Sequence, residues 1–168
     1  MNFWSYITAD RITAFAAVVG IVVSIWVLQS QLSNSRFALS VDTLLKMEER
    51  FNSPDMVKKR KKAAKALLGK THHEDADDVL DFLETIGIMV HRGALDEEMV
   101  WNTFFYWVDG YWEAAQSHIQ EEQKKNPEVW RELEYLEKRC LTFEDAKMKG
   151  RAAIPVPKQE FLKDEAEL

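Results

Sequence analysis

A single cysteine among 168 residues, Cys140, excludes an internal disulfide framework and a zinc site built from several cysteines. Four prolines and six glycines are too few for a turn-rich all-β chain. No stretch alternates apolar and polar residues for long enough to specify a strand, so no sheet is expected. Also missing are a glycine-rich phosphate loop, a GxSxG elbow, a Rossmann fingerprint and an HExxH pair. With no catalytic constellation, the chain reads as non-enzymatic, without a cofactor or an evident small-molecule substrate. What is present is apolar material: 46% hydrophobic, 11% aromatic and 30% charged residues, with a net charge of −6. That excludes wholesale disorder and suits one domain with appendages.

The most informative absence is local. From Ile12 to Ser35, 24 residues carry no ionisable side chain, with Arg11 and Arg36 at the two ends. Ile12 to Leu28 reads ITAFAAVVGIVVSIWVL. A hydrocarbon core of ~30 Å needs ~20 helical residues at ~1.5 Å each, which 12–32 supplies. Trp4 and Tyr6 precede it and Trp26 lies near its far end, as interfacial aromatics do. A signal peptide would carry its basic residues at the very start and a small-x-small cleavage site, and neither is found. A buried core helix would show a polar stripe, and an interfacial helix a charged face. The prediction is therefore a transmembrane helix over 12–32, preceded by a short segment 1–11. Arg36, Lys46 and Arg50 outweigh Arg11, which Asp10 balances, so the long C-terminal part is expected in the cytoplasm. Ala16, Gly20 and Ser24 recur every four residues, a small-xxx-small face for packing against another membrane helix, although small residues are common in spans.

The remainder reads as helices. Phe37, Val41, Leu44, Leu45, Met47 and Phe51 continue the helical spacing, giving one long helix from about Ala9 to Phe51. Ser53 then caps a helix from Pro54 to Leu68, closed by Gly69 in a left-handed conformation. Its apolar face is Met56, Val57, Ala63, Ala64, Leu67 and Leu68. A third helix runs from Glu74 to Arg92 before Gly93, and Asp96 caps a fourth that reaches Lys125. Asn126-Pro127 repeats the cap-then-proline signal for a fifth, ending near Phe143. The fold class is thus all-α: an N-terminal transmembrane helix continuing into a small bundle over 33–143. Residues 144–168 read as a proline-containing, acidic, flexible tail.

Four features carry candidate functions. Between Trp101 and Trp112, seven of twelve residues are aromatic. At ~100° per residue, Trp101, Phe104, Phe105, Trp107, Tyr111 and Trp112 share an arc of about 160°, wider than the ~100° a core stripe needs. Either Trp101, Phe105, Trp107, Tyr111 and Trp112 meet a partner or lipid headgroups, or the bundle wraps this helix on most sides. Lys58, Lys61, Lys62 and Lys65 share one helical face, which suits an anionic partner or is simply solvated. A straight first helix would hold that face ~30 Å from the lipid, beyond a Debye length of ~8 Å. The net negative charge disfavours nucleic acid. His72 and His73, followed by Glu74, Asp75, Asp77 and Asp78, could serve a metal-dependent hydrolase. Acidic residues crowd helix starts in any case, so no metal is expected. Cys140, on a stripe with Leu133 and Leu136, reads as a small core residue.

Val79-Leu80-Asp81-Phe82-Leu83-Glu84-Thr85-Ile86-Gly87, Arg92-Gly93-Ala94-Leu95-Asp96-Glu97-Glu98 and Tyr111-Trp112 resemble a family of bacterial proteins catalogued as domain of unknown function 4760. The resemblance extends over about 12–143. It implies an N-terminal membrane helix, a Phe-Asn-Ser-Pro stretch followed by basic residues, and a helical C-terminal part. No activity or catalytic residue comes with it. The expectation is a single-pass interaction protein of the bacterial inner membrane. It would be an accessory subunit of a larger complex or a homo-oligomer, with membrane lipid and a protein as its partners.

Overall fold

A computed structural model describes residues 3–69, 74–148 and 158–168, the side chains of 3–16, 18, 148 and 158 excepted. Six α-helices account for nearly all of it, and the described residues contain no strand. They are α1 (Phe3–Phe51), α2 (Pro54–Leu68), α3 (Glu74–His91), α4 (Glu97–Lys125), α5 (Arg131–Met148) and α6 (Lys158–Glu167). The chain divides into two compact units, Met1–Leu39 and Ser40–Leu168.

The first unit is helix throughout its described length. It starts at Phe3, so most of the expected 1–11 segment is helical too. Val19, Ile21, Val22, Val23, Ile25, Trp26, Val27 and Leu28 are all exposed. Among the described residues no helix is long and apolar enough to cross a membrane. The side chains of 12–16 and 18, which belong to the expected span, lie outside the described residues.

The second unit is the bundle. Ser53 caps α2 as its sequence requires: its hydroxyl accepts from the Met56 amide at 3.4 Å and donates to the Arg50 carbonyl at 2.7 Å. Asp96 caps α4 through the Met99 amide at 3.0 Å, while its own amide donates to Ser40 Oγ at 2.9 Å. Gly93, at φ +67°, makes the left-handed turn between α3 and α4. Gly69 differs from expectation: it stays right-handed (φ −78°), its amide bonded to the Lys65 carbonyl. Leu68 is exposed rather than on the buried face.

Two larger corrections concern the C-terminal third. Pro127 does not open α5. Asn126 Oδ1 accepts from the Glu128 amide at 3.2 Å, residues 127–130 form a turn, and Trp130 adopts φ +51°. The Trp130 indole N–H holds that conformation by donating to Asp81 at 2.8 Å. The helix begins only at Arg131 and runs past Phe143 to Met148. Glu84 on α3 supplies its cap, accepting from the amides of Glu132 and Leu133. The expected flexible tail is, over 158–168, largely the helix α6. Phe161 and Leu162 sit in the core beside Glu165, a stripe hidden in an acidic composition.

The centre of the core is aromatic. Phe51 stacks on Phe82 (centroids 5.1 Å apart) and meets the edges of Phe104 and Trp107 at 5.6 and 5.2 Å. Around them lie Val79, Leu83, Ile86, Val100, Val108 and Leu133. Helix α3 packs on α2 and α5, α4 on α5, and α6 across α2 and α4.

Candidate functional site

Helical periodicity places Arg60 in register with Met56, Ala63 and Ala64, on the buried face of α2. A guanidinium there needs a partner, because an unpaired buried charge is strongly unfavourable. The end of α1, α2, α4 and α6 all converge on it. Arg60 and Glu165 are each 3% exposed. Arg60 Nε and Nη2 donate to the two Glu165 oxygens at 2.8 and 2.6 Å, a bidentate pair. The Tyr111 hydroxyl donates to the same carboxylate at 2.8 Å and the Trp107 indole N–H at 3.1 Å. Four donors therefore satisfy Glu165. The Arg60 guanidinium also lies over the Phe51 ring at 4.3 Å and the Trp107 ring at 5.3 Å. Burial, and then the Glu165 charge, push the Tyr111 phenol well above its ordinary range, against the opposing Arg60 charge. The Arg60, Trp107 and Tyr111 donors and the Glu165 carboxylate are all engaged within one cluster. Its chemistry is that of a latch joining α6 to α2 and α4.

Two residues of the expected aromatic surface, Trp107 and Tyr111, belong to this latch. Tyr111 is fully buried, which corrects its assignment as a partner contact: Phe161 of α6 packs edge-on against it at 5.0 Å. Trp101, Phe105, Trp107 and Trp112 are partly buried against the core. Tyr106, on the opposite side of α4, is also touched by Phe161, at 5.3 Å. Tyr106, Trp107 and Tyr111 are thus met by a helix the composition concealed. Trp101 keeps one distinctive feature, an indole N–H without a partner among the described residues, while Lys147 lies over its ring at 4.9 Å.

The basic run is divided. Arg60 points inward. Lys59 pairs with Asp78 at 2.9 Å and Lys62 with Asp75 at 3.4 Å, while Lys58 and Lys65 are exposed and Lys61 half-buried. His72 and His73 lie outside the described residues. Among the described residues no group of three or more His, Cys, Asp or Glu could hold a metal ion. Two histidines pair with carboxylates instead: His91 Nδ1 with Glu132 at 2.6 Å and His118 Nε2 with Asp77 at 2.8 Å. Cys140 is buried, and desolvation pushes its thiol up to about 12. In the first unit, Ser24 Oγ donates to the Gly20 carbonyl at 2.8 Å, and nothing lies within 4 Å of a Cβ built on Gly20. The side chain of Ala16, third of that set, lies outside the described residues.

Carboxylates gather where α4 meets α5. Burial and the charges of Glu113 and Glu144 raise Asp109. Burial and then Asp109 raise Glu137, against the opposing Lys138.

Compared with known proteins, residues 14–140 match a family model described as Domain of unknown function (DUF4760). No curated protein and no solved structure matches the chain.

Proposed function

The chain belongs to the DUF4760 family, a domain of unknown function, and from that premise we propose that it is a single-pass, membrane-anchored interaction protein without catalysis of its own. One observation carries the reading. Eight large apolar side chains between Val19 and Leu28 are exposed, Trp26 to 69%. At ~100° per residue they leave no arc wider than about 100° free of them, so no single neighbouring face could cover them. Fully burying such side chains is worth ~1.5–3 kcal/mol each, or roughly 12–24 kcal/mol together. Leaving them in water would forfeit an amount as large as a typical domain's whole stability of ~5–15 kcal/mol. Lipid covers a helix on every side at once and tolerates it because its backbone is bonded internally.

Residues 12–32 are the span, with Arg36, Lys46 and Arg50 holding the bundle on the cytoplasmic side of the bacterial inner membrane. The open face at Gly20 suits close approach of a second helix, from another subunit or another copy. Alkaline carbonate extraction tests the anchor. The full chain should remain in the membrane pellet, and its release into the supernatant would sink the proposal. Protease added to right-side-out spheroplasts should spare the bundle and should digest it once the membrane is opened.

A further inference from the structure

The bundle uses only half of the basic run. Arg60 is taken by Glu165, and Lys59 and Lys62 by Asp78 and Asp75 of α3. Lys58, Lys61 and Lys65 have no ion pair among the described residues. At ~100° per residue they share an arc of about 60°, on the side of α2 opposite the buried Met56, Arg60 and Ala63. Helix α6, which lies against α2, carries the opposite charge in the same way. Its Phe161, Leu162 and Glu165 turn into the bundle. Glu160, Asp164 and Glu167 are left exposed within about 60° of one another on the outer side, with no ion pair among the described residues. Lys163 stands about 40° outside that arc, and the charge of Asp164 also faces Tyr106 of α4.

We infer that the lysine face of α2 docks on α6 of a second copy of this chain, Lys58, Lys61 and Lys65 of one copy meeting Glu167, Asp164 and Glu160 of the other. The spacing singles out that occupant. The lysines step by three residues and then four. The carboxylates read backwards, from Glu167 to Glu160, also step by three and then four. Two antiparallel helices therefore bring all three pairs into register, over ~10.5 Å on each side. Both faces point away from their own core, so they are offered to another molecule rather than to each other. Because α2 and α6 are neighbours, a two-fold axis forms the contact twice: α2 on the second copy's α6, and α6 on the second copy's α2. An exposed ion pair contributes little and is screened by salt. The association is accordingly weak, reversible and strongest at low ionic strength. It belongs to the bundle alone and holds whether or not α1 spans a membrane.

The test mixes the full chain with an isotope-labelled copy in a nonionic detergent and adds a carbodiimide. The reagent joins a lysine amine to a carboxylate as an amide and takes up the water released, becoming a urea. Mass spectrometry separates links between copies, which pair the two isotopes, from links within one copy. Links between copies should join Lys58, Lys61 or Lys65 to Glu160, Asp164 or Glu167. Their yield relative to links within a copy should fall by about tenfold from about 0.01 M to about 1 M salt, as the screening length drops from ~30 to ~3 Å. One triple variant carries Lys58→Glu, Lys61→Glu and Lys65→Glu, another Glu160→Lys, Asp164→Lys and Glu167→Lys. Mixed together, they should link the substituted positions of one to those of the other. Links confined to single copies, links between copies that ignore salt, or links between copies at other residues would each overturn the inference. So would a chain that stays single while added polyglutamate crosslinks to α2, which would assign the lysines to a foreign anion. The wild-type links decide the matter even if a variant fails to fold.

Discussion

Replacing Glu165 by alanine should release α6 while the rest of the bundle stays folded. The substitution strips Arg60 of its two bonds at 2.6 and 2.8 Å and leaves the Tyr111 hydroxyl and Trp107 indole without their acceptor. Removing one partner of a buried ion pair costs about 3–5 kcal/mol. The apolar anchor of α6 is Phe161 and Leu162, both fully buried, which together contribute roughly 3–6 kcal/mol. The two quantities are of one size, so the loss nearly cancels the anchor. Undocking also returns Arg60 to water, a cheaper outcome than keeping it buried alone. Hydrogen exchange reads this directly. Backbone amides of 161–167 should lose protection by on the order of 100- to 1,000-fold, while those of α3 and α5 change far less. Amides of α6 that stay within a factor of ten of wild type would refute the latch. The triple variant Arg60→Met, Tyr111→Phe, Glu165→Leu should recover most of the protection, because well-packed apolar residues commonly replace a buried pair without loss.

Two other predictions concern the α3–α5 and α4–α5 contacts. A Cβ on Gly87 would lie 2.3 Å from the Glu132 carbonyl oxygen, a backbone atom that cannot swing away, so Gly87→Ala should destabilise by ~3 kcal/mol in urea denaturation, and an unchanged midpoint would contradict the close packing of α3 on α5. Glu137 titrates above its ordinary 4.5 in the fold, so its contribution to stability is fully present below 4.5 and is lost as pH rises through the folded value. Glu137→Gln should therefore melt higher than wild type at pH 7.5, with the advantage vanishing near pH 4, and a lower melting temperature at pH 7.5 would contradict a net cost of that charge.

The sequence made some elements legible and hid others for physical reasons. Ser53-Pro54 and Asp96 fixed the starts of α2 and α4, because a capping side chain and its amide are three residues apart and need nothing from the rest of the fold. Gly93 was legible for the same reason, and the α3 stripe from Val79 to Val90 was readable from its period. Arg60 was read as one charge in a basic run. The available signal was its register with Met56, Ala63 and Ala64, but its partner lies 105 residues away. Helix α6 is hidden because its apolar content is three residues in ten among charges, too little to stand out before its groove is known. The start of α5 is not legible locally because its amide acceptor comes from Glu84, on another helix, and because a turn held by Asp81 intervenes. Part of the aromatic excess on α4, Tyr106, Trp107 and Tyr111, is met by the same helix.

The distance between Arg60 and Glu165 along the chain also sets an order of events during synthesis. At ~5–20 residues per second, the ribosome makes residue 165 roughly 5–20 seconds after residue 60. Once Trp107 and Tyr111 have also been made, the notch around Arg60 still has no occupant until Glu165 follows. Translation that stalls or stops before α6 prolongs that state, leaving an uncovered patch by which chaperones and proteases can tell unfinished copies from complete ones.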